Sequence, residues 1–529
     1  MRIATWCLLV CAAVVPVRVH ADSTSVWEGD LRVGGVIKDE TGDMSAMQET
    51  FNVHEGVTIT RFRLTGRFDR NTHLYVDGDN LTLDGRRASL DFRRTGTGRF
   101  RSRYDESDYV FDPSGSVLAT RRDWWSTLSL TPRRWLWVSG DYNLQTRRGD
   151  RIGFPAGVES AIGNAYDSNL NRWRAQVQAN HGSGVGGTFA YDGVALTDGL
   201  DPRNERDGTV LSANLKLPGI IFDRLTHVVR GSVGKSELPA SGVSYDMMTV
   251  QYTGVAAPWR PLRLKYRFYG AQVEDHSAHN QTDRWINDFD AEYRWRFATV
   301  SGGYGWEAWD DDRSVTTYDN IRAALSLRHP EQKISGRVAY STRDKDDEED
   351  QTLLRDTEYA RAEVSVDARP MGGVTVGGRV AERTRNMPDI GAQAEGLAVS
   401  VYGSYKYEHF GETGVVASTL SVDYRFADDD YDNATGTEYH VTSQFVTGRI
   451  DLDVYERIRA AAAVHFITAE EDMDIEKSIL SFELGYSFVK AYDAKIKYNV
   501  YNYDDFLVAG RFYTANVVWI DFGYAFSTE

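Results

Sequence analysis

Every second residue back from Phe526 is apolar: Tyr524, Phe522, Ile520 and Val518. The residues between them, Ala525, Gly523, Asp521 and Trp519, are mixed. A period of two marks a β-strand with one apolar face. The same two-faced text recurs upstream. Leu262, Leu264, Tyr266 and Phe268 alternate with Arg263, Lys265 and Arg267. Phe289, Tyr293, Trp295 and Phe297 alternate with Asp290, Glu292, Arg294 and Arg296. Leu420, Val422, Tyr424 and Phe426 alternate with Thr419, Ser421, Asp423 and Arg425. Leu480 to Phe488 and Lys495 to Val500 repeat the pattern. No segment carries a convincing helical period, so the chain is predicted to be all-β.

Connections punctuate the strands. A first strand is expected near 27–38 and a second near 53–66. Shorter ones follow near 73–83, 88–94 and 99–104, and a longer connection near 105–120. A hairpin is expected to turn at Thr131-Pro132-Arg133. Long polar connections are expected near Asp150, Gly199, Ser236, Ser277, Asp311, Asp347, Pro388, Tyr431, Glu471 and Asp504. Tight ones are expected near Pro218, Pro261, Phe297, Pro330, Pro370, Gly411, Ile450 and Ala491. Each long-to-long interval is roughly 35–50 residues, room for two tilted strands of about 10–14 residues and two connections. The count comes to about 26 strands, within 24–28.

Composition places these strands in a membrane. Arg2, the apolar run from Trp6 to Val17 and Val19-His20-Ala21 read as a secretory signal over residues 1–21, with the barrel in 22–529. Mean hydropathy is −0.45 and no apolar run is long enough for a spanning helix. A β-barrel needs only every second residue apolar, and 12% aromatic residues suit two interfacial girdles. The expectation is a large transmembrane antiparallel β-barrel in the bacterial outer membrane. Its even strand number puts both termini in the periplasm. Val518, Ile520, Phe522, Tyr524 and Phe526 then resemble the C-terminal signal that marks such barrels for assembly, although Ser527, Thr528 and Glu529 follow the last aromatic.

Charge and cysteine use narrow the function. The net charge of −17 argues against a nucleic-acid partner. The only cysteines, Cys7 and Cys11, lie inside the signal, so thiolate metal sites, iron–sulfur clusters and covalent haem are not expected in the mature chain. Asp344 to Asp350 and Asp428 to Asn433 read as solvated external loops, with calcium bridging to lipopolysaccharide as the alternative. His276 and His279 have a spacing seen at metal sites but lack further ligands nearby. Trp124, Trp125, Trp135, Trp137, Trp295 and Trp519 read as interfacial girdle. No local signature nominates a catalytic constellation, and none is expected.

Size is the functional clue. Strands about 4.8 Å apart and tilted roughly 40° close, at 26, into a ring about 50 Å across. Barrels of 16–18 strands already hold aqueous channels. An open hole of the larger size would breach the outer membrane, and no expected connection is long enough to fold into a plug. Another protein is therefore expected in the lumen, against a polar wall of both charge signs. A large cysteine-poor barrel with Gly56-Val57-Thr58 entering a strand, Gly78-Asp79-Asn80-Leu81, and Tyr104-Asp105-Glu106 before a loop resembles the decahaem-cytochrome-associated barrels of the MtrB/PioB type. The Cys-x-x-Cys pair that one branch of that family carries after its signal is missing here. The resemblance implies a sheath that holds a periplasmic multihaem c-type cytochrome across the membrane. An extracellular cytochrome would be a further partner, lipid and lipopolysaccharide would surround the barrel, and haem would belong to the partner alone. A diffusion porin or export channel gated by its own loops is the alternative.

Overall fold

The computed structural model describes residues 25–43, 55–82, 85–110, 118–152, 162–219, 225–311, 314–329, 331, 333–347, 356–388, 391–411, 414–432, 436, 438–454, 457–489, 491–507 and 510–528. The expected signal segment lies outside them. The strands run β1 (Val26–Gly42), β2 (Gly56–Arg67), β3 (Thr72–Asp79), β4 (Arg87–Arg94), β5 (Gly98–Val110), β6 (Leu118–Arg133), β7 (Leu136–Ile152), β8 (Ile162–Asn180) and β9 (Gly186–Asp198). They continue as β10 (Arg206–Pro218), β11 (Leu225–Leu238), β12 (Val243–Trp259), β13 (Leu262–Asp275), β14 (Asn280–Arg294), β15 (Ala298–Asp311), β16 (Ser314–His329), β17 (Ile334–Asp347), β18 (Thr357–Ala368) and β19 (Val374–Met387). The last are β20 (Ala392–Gly411), β21 (Gly414–Asp432), β22 (Glu438–Val454), β23 (Ile458–Glu471), β24 (Ile475–Val489), β25 (Tyr492–Asp505) and β26 (Phe512–Ser527). Each pairs antiparallel with the next, and β26 pairs with β1, so 26 strands close one ring. Closure leaves no edge, as a sheet in lipid requires.

The two faces are told apart by reach. Arg322 on β16 meets Asp288 and Asp290 on β14, both at 3.1 Å, across the whole of β15. Arg32 on β1 meets Asp493 on β25 at 2.8 Å, across β26. Arg383 on β19 meets Asp429 on β21 at 2.7 Å, across β20. Next-but-one strands lie about 10 Å apart, so these contacts belong to the concave side, where side chains converge. The strand crossed carries glycine: Gly303 and Gly305, Gly523, and Gly396. A Cβ at any of them would sit 2.4 Å from the Oδ1 of the bridging aspartate, as with Asp290 at Gly303. The ion-paired face is thus the lumen wall. The opposite face presents exposed Leu420, Val422, Phe482, Leu484 and Phe488 outward, the apolar band of a membrane barrel.

The strands run further than their apolar text. Hairpin ladders persist into charged sequence because backbone pairing needs no apolar side chain. Asp150, Ser236, Tyr431 and Asp504 therefore lie within strands rather than in connections. Ile450 lies inside β22, paired with Leu420 and Ala462, so the tight turn expected there is displaced beyond the strand's end at Val454. The hairpin expected at 131–133 turns at 134–135. The longest connection between any two strands is the 13 residues 43–55.

Candidate functional site

The closing seam gathers the five residues of the expected assembly signal. Val518, Ile520, Phe522, Tyr524 and Phe526 stand outward on β26, opposite Ile37, Gly35, Val33, Leu31 and Gly29 of β1. Phe522 is 62% exposed, as a lipid-facing side chain should be. The Phe526 ring lies over Gly29, where a Cβ would come within 2.3 Å of it. Tyr524 packs on Tyr492 at 4.9 Å between centroids. The residues after the last aromatic are used as well. Ser527 pairs with Glu28, and Trp27 N–H donates to Thr528 Oγ1 at 2.8 Å.

The inner face of the same seam departs from the expected polar wall. Tyr513, Ala515 and Val517 of β26 are fully buried, and Val36, Tyr501 and Tyr503 nearly so. They form one apolar cluster with Ile475, Ile479 and Trp519. Register places all nine on the lumen side of β24, β25, β26 and β1. The Tyr513 hydroxyl donates to Glu40 at 2.5 Å, and Lys38 closes on the same carboxylate at 2.6 Å. The expectation of mixed charge throughout fails at this end of the seam because tyrosine and aliphatic residues occupy neighbouring inward register positions of four successive strands, while Arg32, Asp493, Lys495 and Lys497 keep the other end charged.

The arc from β2 to β8 is the opposite. Its inward positions carry Arg61, Arg63 and Arg67 on β2, Arg87 and Arg93 on β4, Arg99, Arg101 and Arg103 on β5, Arg121 on β6, Arg147 on β7, and Arg172 and Arg174 on β8. The same wall offers Asp77, Asp79, Asp91, Asp105, Asp123 and Asp141, two arginines to each aspartate. Asp91 is shared by Arg99 and Arg101, and Asp105 by Arg87 and Arg103. The excess is visible in the sequence once the register is known. Residues 55–180 hold 20 arginines, no lysine and 15 acidic residues, in a chain that is acidic as a whole.

The remaining candidates fall in several places. Asp428 and Asp430 lie on paired strand, not loop, and face outward beside His440. Asp430 is hydrogen-bonded to His440 Nδ1, while Nε2 is 3.5 Å from Asp428 and 3.4 Å from Glu471. Among the described residues these three, Asp428, Asp430 and His440, are the one group with metal-ligand geometry. Asn433 and 348–350 lie outside the described residues. His276 bonds Asp246 at 2.9 Å rather than joining His279, which takes φ +50° to close the turn. Trp295 and Trp135 are exposed at turns, in keeping with a girdle, but Trp125, Trp137 and Trp519 face the lumen. Trp519 is capped there by the Lys497 ammonium at 5.1 Å.

A closed antiparallel ring with an apolar outer band and an ionic inner wall defines an outer-membrane β-barrel protein. Similarity to solved structures agrees. Over 96% of its length the chain is similar to the FrpB iron transporter of Neisseria meningitidis in its F3-3 variant, at 10% identity and TM-score 0.55, covering 82% of that chain. The apoprotein of the F5-1 variant gives 8% identity and TM-score 0.51, with 96% of this chain and 81% of that one covered. No family model and no curated protein matches the sequence. At such identities the likeness carries the fold and not the cargo.

Proposed function

We propose that this barrel is a sheath: it holds a periplasmic multihaem c-type cytochrome in its lumen and insulates it for electron transfer across the outer membrane. One observation carries the reading. A 26-stranded ring about 50 Å wide is built with no strand-to-strand connection longer than 13 residues. Transporters of 22 strands fill their lumen with a plug, and connections this short cannot fold into one. A foreign occupant restores the permeability barrier. The chain itself does no chemistry and binds no haem in this reading. Both termini face the periplasm, and the longer connections meet the extracellular side and its cytochromes. Val518, Ile520, Phe522, Tyr524 and Phe526 serve as the strand recognised during insertion.

The test is purification of the tagged barrel from outer membranes of its own host, scored by haem absorbance and the mass of what is retained. Stoichiometric haem protein supports the sheath. A haem-free barrel that conducts ions alone in planar bilayers overturns it in favour of a diffusion or export channel.

A further inference from the structure

We infer that the guest presents an acidic face to the arc from β2 to β8 and is held there, off the barrel axis, by arginines that the barrel itself leaves unpaired. The inference rests on the sheath reading and adds where the guest sits and by what chemistry. Arg61, Arg93, Arg147 and Arg172 all face the lumen, on four different strands. None has an ion-pair partner among the described residues, and Arg93, Arg147 and Arg172 are exposed. Arg93 stands directly opposite Arg99, and Arg147 opposite Arg121. Like charges paired across a ladder destabilise the empty barrel. That arrangement is relieved when carboxylates from outside lie between them.

The choice of arginine points the same way. From residue 39 to residue 215 every basic residue is arginine. Arginine holds carboxylates in a two-point fork and keeps its charge in a confined space, where lysine does neither as well. Elsewhere on the wall some arginines share carboxylates, as Arg322 and Arg267 do Asp288 and Asp290, and Arg361 and Arg379 do Glu363, while Arg263 and Arg337 stand unpaired among the described residues; the β2 to β8 arc is set apart by its two arginines to each aspartate. The neighbouring arc at β24–β26 and β1 carries a closed apolar cluster at Val36, Tyr501, Tyr503, Tyr513, Ala515 and Val517. The inward cations beside it, Arg32 and Lys495, are already matched by Asp493 and Glu483. The occupant that fits the arginine arc is a folded protein surface rich in Asp and Glu. A small anion would need far fewer cations.

The experiment uses the full-length barrel expressed in its own host with the quadruple reversal R61E, R93E, R147E and R172E. A second variant reverses Arg263, Lys265 and Arg337, inward cations outside the arc that are also unpaired among the described residues. Folding is checked by heat-modifiable gel mobility, and bound haem protein per barrel is measured after gel filtration at two salt concentrations. Reversal in the arc should lower retained haem protein at least about tenfold, and the control reversal less than about twofold. The R93K and R147K pair should lower it only a few-fold, with a steeper salt dependence. Equal retention by wild type and quadruple reversal overturns the arc and leaves the sheath standing. A wild-type barrel that carries no haem protein overturns both. If the quadruple variant fails to fold, R93E and R147E singly, both at exposed side chains, decide the matter on the same scale.

Discussion

The two arcs of the lumen wall are made from the same element and the same pairing rule, yet they do opposite things with the inward register. Across β24, β25, β26 and β1 one stretch of the inward positions, Tyr501, Tyr503, Tyr513, Ala515 and Val517, is packed to exclusion of solvent, beside the paired Arg32 and Asp493. Across β2 to β8 they are arginines, of which Arg93, Arg147 and Arg172 stand exposed. The first arc holds the one pairing in the barrel that joins strands distant in sequence, β26 to β1. Every other pairing is a hairpin formed locally. Closing the ring costs the loop entropy of the whole chain. Apolar packing inside the seam, added to the aromatic face outside it, stabilises the contact that has the most entropy to offset. The arginine arc consists of hairpins and is free to carry charge for another purpose.

The largest separation between the arcs should come from truncating a core side chain. Tyr513→Ala in the closing arc removes a fully buried ring and its bond to Glu40. It should cost about 3–5 kcal/mol, the range for large-to-small changes in a packed core. Arg93→Ala, exposed and unpaired in the arginine arc, should stay within about 0.5 kcal/mol. Urea unfolding of the detergent-folded barrel followed by tryptophan fluorescence measures both. Equal effects would mean that the seam is not specially reinforced.

Glycine substitution separates the arcs on a finer scale. At Gly523 a Cβ would fall 2.4 Å from Asp493 Oδ1 and 3.3 Å from the Arg32 guanidinium carbon, breaking the bridge between β25 and β1. At Gly140 on β7 it would meet nothing closer than 3.9 Å. Gly523→Ala should therefore destabilise by about 1–3 kcal/mol, as overpacking does, and Gly140→Ala should be neutral or slightly stabilising. The same unfolding assay reads the pair. A Gly523→Ala barrel as stable as wild type would show that the bridge over β26 does not hold the seam.

Ion pairs inside the arginine arc should matter less again. Asp91→Asn strips two arginines, Arg99 and Arg101, of their shared carboxylate, but all three side chains are part-exposed. The loss should be about 1 kcal/mol at low salt and smaller in high salt. Stability measured at two ionic strengths checks it. A loss that does not shrink with salt would mean the pair is shielded from solvent.

Much of this was legible in the sequence. Alternation at Val518 to Phe526 and at Leu480 to Phe488 gave the strands and their outward face, because lipid rewards one face and ignores the other. The strand number followed from the spacing of connections. Strand ends were not legible, since the ladder through Asp428–Asp432 pairs regardless of polarity. The two arcs were hidden for a different reason. Tyr513, Ala515 and Val517 look like loop-proximal text until register places them beside Tyr501 and Val36. The arginines of residues 55–180 are diluted in an acidic chain until alternate positions are sorted to one side. The contact of His440 with Asp428 and Asp430 needed the pairing of β21 with β22.

The smallest expected effect lies outside the spanning strands, in the turn 276–279 between the two arcs. His276 bonds Asp246 at 2.9 Å and lies 3.4 Å from Glu274. The hydrogen bond to Asp246, joined by the charges of Glu274 and Asp246, raises its pKa above the ordinary histidine value. A raised folded-state pKa favours the protonated ring. The contribution is therefore complete below the unfolded value of about 6.5 and fades as pH rises through the folded one. Both partners are exposed, so the turn should loosen with rising pH while both arcs keep their stability. Histidine ring signals in micelles should titrate above the free value in wild type and lose that resonance in His276→Gln. Amide exchange at 276–279 should quicken across the same interval. If exchange at β24–β26 quickened with it, the turn and the closing arc would be one cooperative unit, and the division of the wall into separately stabilised arcs would fail.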